Sequence, residues 1–243
     1  MPLATAGSLS ASSGAPASGT TSEPFRVLIA GGGVAALEGA LALRELADER
    51  VSTTLLAPGP EFVYRPMAVR EPFGYRVAER YPIDEIARDA GVALWAESFK
   101  GLDVSARIVH TESGYQLRYD ALLLALGAHA EPRYDHAITI DDKRLDEVLH
   151  GLIEDVEQGY VHNLAFVIPG RIGWPLPVYE LALMSARRAY DMNIELAVTI
   201  ATPEDAPLAI FGETVSTAVT KLLEQQGITT ITSAYCEVPD SFH

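Results

Sequence analysis

The sequence of 243 residues contains a single cysteine, Cys236. That scarcity excludes an intrachain disulfide, a CxxC redox pair and a cysteine-based zinc site, and it fits a reducing, cytoplasmic setting. Basic side chains are also few: 18 Lys and Arg stand against 33 Asp and Glu, for a formal net charge of −15. No basic run is long enough to neutralise a stretch of phosphates, so nucleic acid is not an expected partner. The six histidines are scattered without ligand spacing, and no metal is expected. No apolar run reaches the roughly 18–20 residues that span a bilayer, so no transmembrane segment is expected. Residues 1–22 carry no charged side chain and no unbroken apolar stretch, which leaves out a secretory signal. Their Ala, Ser, Gly, Thr and Pro bury too little apolar area to offset the entropy of ordering, and a disordered tail is expected over 1–24.

What is present is a chain that is 48% hydrophobic, long enough for two cores of about 110 residues each. The run FRVLIA at 25–30 has the short, continuous apolar character of a strand buried on both faces of a parallel sheet. Composition turns helical from Val34 to Leu46, and STTLLA at 52–57 supplies the next strand of a βαβ unit. The stretch 61–82 mixes aromatic, Arg and Pro residues without periodicity, which predicts a loop or broken helix on the surface. A short helix closed by Gly91, a strand at 92–96, antiparallel strands turning at Ser113-Gly114 and a buried parallel strand from Ala121 to Ala125 follow. After a helix at 144–158 ended by Gly159, a second α/β unit is expected. Its parts are a strand at 163–168, a Gly/Pro-rich loop, a helix near 177–190, a strand at 194–201, a helix at 214–226 and a strand from Ile228. The domains are placed at 25–140 and 141–243.

Gly31, Gly33 and Ala36 fit the dinucleotide pattern G-x-G-x-x-G/A, with Gly32, Val34 and Ala35 between them, directly after a strand and at the start of a helix. The first glycine permits the tight turn, the second lets the backbone approach a pyrophosphate, and the small third residue lets helix and sheet pack closely. The amides and positive dipole end of the helix then face the phosphates. One partner is missing. The acidic residue that normally binds ribose hydroxyls at the end of the second strand is replaced by Ala57, with Glu61 four residues beyond.

Together, FRVLIAGGGVAALEGALAL, EFVYRP and YDALLLALGA resemble the two-dinucleotide-fold flavoprotein family that includes type II NADH dehydrogenases and sulfide:quinone oxidoreductases. The third stretch resembles that family's second FAD motif, an apolar strand ending Ala-Thr-Gly; Ala125 and Gly127 match and Leu126 replaces the threonine. The resemblance covers about residues 25–235. It implies an α/β chain of two Rossmann-like FAD/NAD(P)-binding domains, parallel sheets with an antiparallel insertion. It further implies FAD lined by Gly31, Gly33, Ala36, Ala125 and Gly127, with Arg65-Pro66 on a loop near the flavin. A third FAD motif, typically a Gly-Asp pair, and a C-terminal interface domain are expected of family members and are absent here, so the resemblance implies a C-terminally truncated chain.

In the second domain, FVIPGRIGWPLPVYELA offers Pro169-Gly170 and Gly173, then Pro175 and Pro177 where the helix should begin. Proline removes amide donors, so this loop cannot present the usual row to a nicotinamide dinucleotide. With TPEDAPLAIFG at 202–212, it looks more like sulfide:quinone and flavocytochrome c sulfide dehydrogenases. Glu180 reads as an ordinary helix residue, and Trp95 and Trp174 as packing residues. Sulfide chemistry needs one thiolate to attack and a second to resolve, and Cys236 alone cannot do both.

The expected function is electron transfer through FAD from a small donor to a quinone-like or other small acceptor, with no acid, base or nucleophile assigned. The alternatives are an NAD(P)H dehydrogenase of the same fold, with NAD(P)H the less favoured cofactor, and a non-catalytic nucleotide-binding or interaction remnant. A homo-oligomer or a complementing C-terminal segment is a further expected partner, and peripheral attachment at a membrane is the alternative to a purely cytoplasmic location.

Overall fold

The computed structural model describes residues 23–75, 78–141, 144–170 and 172–237. The expected disordered tail lies outside these residues apart from Glu23 and Pro24.

Strand β1 (Phe25–Ala30) runs into helix α1 (Val34–Ala47) and returns as β2 (Val51–Leu56), the βαβ unit expected from the pattern. After β3 (Glu61–Val63), a 3₁₀ segment (Arg65–Phe73), β4 (Arg80–Pro82) and α2 (Ile83–Asp89) comes β5 (Ala93–Trp95). Strands β6 (Phe99–Asp103), β7 (Ile108–Thr111) and β8 (Gln116–Arg118) form the antiparallel insertion, and β9 (Ala121–Leu124) closes the first unit. Its sheet has the order β5-β2-β1-β9, all parallel. Alternation along β1 divides the core. Val27 and Ile29 pack with Ala36, Leu37 and Ala40 of α1, whereas Leu28 and Ala30 pack with Val109 and Tyr119 of the antiparallel layer. At the foot of the sheet Arg26 clamps Asp120 through Nε, an NH2 and its own backbone N–H, at 2.9–3.0 Å.

The second unit carries α3 (Leu145–Glu157), β10 (Asn163–Val167), α4 (Leu176–Asp191), β11 (Ala197–Ala201), α5 (Glu213–Gln225) and β12 (Thr229–Ile231). Its three strands are parallel in the order β10-β11-β12.

Two expectations are corrected. Residues 65–73 form a broken, 3₁₀ helix, one of the two forms expected, but its apolar side chains are not on the surface. The short antiparallel pair β3–β4 brackets the 3₁₀ segment, and Ala68, Val69, Phe73 and Ala78 are buried in one cluster with Leu149 of α3 and Leu181 of α4. Pro66 and Pro72 deny that segment a regular α-helical ladder, while its apolar side chains find their cover on elements 80 to 110 positions further along. Tyr75 adds a second tie, lying against the Arg188 guanidinium, which also donates to Glu157 at 2.7 Å. Strand β9 is parallel as expected but not buried. Among the described residues it pairs only with β1, and Leu123 and Leu124 are 39% and 51% exposed.

Candidate functional site

The turn after β1 hangs between three strand ends. Gly31 donates its amide to the Leu56 carbonyl at 2.9 Å, and Ala125 donates to the Ala30 carbonyl at 2.8 Å. Gly31 has φ +134°, and a Cβ there would lie 2.1 Å from the Ala125 carbonyl oxygen. No side chain fits. Gly31 and Ala125, 94 positions apart, are therefore brought into direct contact, and Gly127, with φ +76°, follows at the same strand end.

Gly33 is different. Its backbone is extended, φ −91° and ψ −175°, a conformation open to any residue, and a Cβ would meet nothing within 4 Å. Neither strain nor protein packing demands glycine at this position. The Ala36 and Leu37 amides turn back onto the Gly33 carbonyl at 3.0 and 3.1 Å, which leaves the Gly33, Val34 and Ala35 amides, all on exposed residues, without an intrahelical acceptor. Ala36 is fully buried and lets α1 approach the sheet. Gly39, one turn further on, does the same, since a Cβ there would come within 2.7 Å of Leu123. The sequence reading missed Gly39, although small residues one turn apart on a helix face are a readable sign of close helix–sheet contact.

Ala57, at the end of β2, is buried and donates to the Trp95 carbonyl at 2.9 Å. Glu61 is exposed and pairs with Arg80 across β3–β4 at 3.7 Å. No acidic residue takes the ribose-binding place at the strand end itself. Arg65 opens the 3₁₀ segment, half-buried.

The corresponding turn of the second unit runs from β10 to α4. Pro175 caps that helix and Pro177 sits in its first turn, as the sequence indicated. Glu180 is shifted upward by burial, opposed by Arg70. The sequence reading passed over Glu204, just beyond β11. Its Oε2 accepts from the Tyr179 hydroxyl at 2.6 Å and from Thr202 Oγ1 at 3.1 Å, and both donors are buried. Burial first, and then the bond to Glu204, push the Tyr179 hydroxyl well above its ordinary value. Trp174 is 57% exposed, resting edge-on against Phe211 at 5.4 Å rather than filling the core. Among the described residues no group of His, Cys, Asp and Glu is arranged to hold a metal, and no helix is long and apolar enough to cross a membrane.

Two parallel α/β units in series, the first opening on a glycine turn, form a Rossmann-like scaffold. The pyridine nucleotide-disulphide oxidoreductase family matches residues 25–238, and the chain belongs to it. Solved structures with this fold include the sulfide:quinone oxidoreductase of the hyperthermophilic bacterium Aquifex aeolicus, 23% identical with a TM-score of 0.76, covering 89% of this chain and 52% of that one. NDH2 of Plasmodium falciparum, in complex with RYL-552, is 15% identical with a TM-score of 0.67, covering 87% and 48%. The ferredoxin reductase for the CYP199A2 system of Rhodopseudomonas palustris is 17% identical with a TM-score of 0.60, covering 88% and 52%. The chain thus spans about half the length of the solved structures it is similar to. No curated protein matches it.

Proposed function

We propose that the first unit holds FAD and that the protein works as an FAD-dependent oxidoreductase, delivering electrons to a quinone-like or other small acceptor. The observation that carries this reading is Gly33: an unstrained glycine facing open space, beside free amides at a helix start. That is a cradle a Cβ would enter, and its amide donors suit a pyrophosphate. Bound flavin supplies the redox chemistry. The chain supplies placement. Gly33, Val34 and Ala35 offer amides to the pyrophosphate, Gly31 seats the turn against Ala125, and the backbone at Gly127 closes the other side. Arg65 serves as a positioning residue on the neighbouring loop.

The likeness to a sulfide:quinone oxidoreductase supports a quinone-like acceptor and a peripheral place at a membrane. The lone Cys236 argues against sulfur transfer on paired thiols. In the second unit the two prolines at the head of α4 remove amides that a nicotinamide dinucleotide would use, so the electron donor in this reading is a different small molecule. Strand β9 offers an edge that no described strand covers, with exposed leucines, suited to a complementing strand.

The test is flavin content after desalting of protein loaded with FAD. The wild type retains it, and Gly33→Val does not, with melting unchanged. Equal retention in the variant would remove the flavin reading.

A further inference from the structure

The antiparallel layer covers only part of the first sheet. Leu28 and Ala30 of β1 lie under Val109 and Tyr119, but the register pairs Arg26 with Ser52, Leu28 with Thr54 and Leu56 with Trp95, which carries the same sheet face on across β2 to β5. There a cleft of about 370 Å³ opens between the two layers, with Ser52 and Thr54 on the sheet side and Trp95, Gln116, Leu117 and Arg118 around them. Strands β5 and β8 are the edges of their sheets, so no described strand closes it. Polar side chains between two layers are ordinarily hydrogen-bonded to one another or to the backbone. Here Ser52, Thr54, Gln116 and Arg118 make no side-chain hydrogen bond or ion pair among the described residues. Trp95 is not the core packing residue expected from the sequence: it is 36% exposed and held edge-on by Tyr115 at 5.3 Å.

The charges decide what can enter. Arg26, at one end of the cleft, is committed to Asp120 through two side-chain hydrogen bonds, and Glu23 acts on it as well. Arg118 has no such partner, and no acidic side chain is among the described lining residues. In a chain of net charge −15, an uncompensated guanidinium in a concave wall is a local reversal of sign that favours an anion. Its planar fork of donors matches a carboxylate or phosphate edge, and the Gln116 amide and the two hydroxyls add further donors. An amine would meet like charge, and an uncharged body would leave those donors to solvent. We infer that this cleft binds a small organic acid with a flat body, the anionic group on Arg118 and Gln116 and the body between Trp95 and Leu117. A carboxylate and a phosphate monoester share the acceptors that Arg118 requires. The volume lies at the small end of ligand pockets, which suits a single ring and not a dinucleotide. The cleft is on the sheet face opposite α1, so the inference goes beyond the flavin reading and does not depend on it.

The experiment is titration of the full chain with phenylacetate, 2-phenylethanol and 2-phenylethylamine, followed by calorimetry and tryptophan emission. Phenylacetate should saturate about tenfold tighter than the alcohol, or better, and weaken as salt is raised; the amine should not bind. Emission should change on saturation in the wild type and in Trp174→Phe but not in Trp95→Phe. Arg118→Gln, at an exposed position without a partner in the fold, should lose about tenfold in affinity with melting unchanged. Thr54→Val, which removes a hydroxyl and keeps the shape, should lose less. Phenyl phosphate in place of phenylacetate separates the two sources: tighter binding identifies a phosphate monoester, and weaker binding a carboxylate. The inference fails if phenylacetate does not saturate, if the alcohol binds equally well, or if Arg118→Gln keeps full affinity. Competition between FAD and phenylacetate would move the acid to the glycine turn and overturn the inference. Flavin content, measured on the same samples, reports separately on the flavin reading.

Discussion

The turns after β1 and after β10 hold equivalent places in two parallel sheets and are built from opposite residues. After β1, three glycines remove side chains and leave amides facing out. After β10, Pro175 and Pro177 remove amides and leave apolar walls. Both turns still deliver the chain into a helix that packs on its sheet. Strand–turn–helix geometry is thus kept by the strands and the helix face, while the turn residues decide separately what can be held in front of it.

The comparison is broken most severely at Gly31. Gly31→Val places a side chain where a Cβ already lies 2.1 Å from the Ala125 carbonyl oxygen, at φ +134°, and should cost about 3 kcal/mol or more in urea unfolding. The same substitution at Gly33, where nothing lies within 4 Å, should leave unfolding within about 0.5 kcal/mol of wild type. FAD affinity should nevertheless fall on the order of 100-fold through loss of charge-assisted amide contacts. Two neighbouring glycines would then be separated into one that serves the fold and one that serves the ligand.

On the second turn, NADH added under anaerobic conditions should leave flavin absorbance unbleached and give no calorimetric signal. Pro175→Ser with Pro177→Ala returns one amide to the head of α4 at each position and should give at most weak NADH binding. Micromolar NADH binding in either protein would erase the contrast between the turns.

The smallest expected effect lies at Asp120. Hydrogen bonds from the Arg26 side chain and backbone hold its carboxyl down at about 2, below the ordinary value near 4. The clamp therefore stabilises fully above pH 4 and is lost as pH falls through about 2. Asp120→Asn should melt slightly below wild type at neutral pH, with the gap closing toward pH 2. Because the pair is exposed, added salt should also narrow it.

The sequence discloses most where structure is local. From Phe25 to Ala47, strand, turn and helix each depend on residues within one or two turns of chain, and their limits agree with expectation almost to the residue. Burial set by distant partners was hidden. Val69 and Phe73 look like part of an aperiodic loop until α3 and α4 cover them, and β9 has a core-like composition although one of its edges is open. Glu204 was passed over although an acidic residue just beyond the second strand of a βαβ unit is readable; what the sequence hid is that a tyrosine hydroxyl 25 residues earlier fixes it. The contact between Gly31 and Ala125 was legible only through family resemblance, since nothing in either segment alone points to the other.

The 3₁₀ segment carries a consequence for how the molecule comes apart. Ala68, Val69 and Phe73 leave the first sheet's chain and complete a cluster made chiefly by α3, α4 and β11, with Tyr75 bridged to Arg188 and Glu157 outside it. Melting the second unit exposes those side chains and pulls on β3 and β4, while melting the first withdraws part of the second unit's interior. The two units should therefore unfold as one cooperative transition, and a protease cut near residue 141 should yield two fragments that remain associated until denaturant is added.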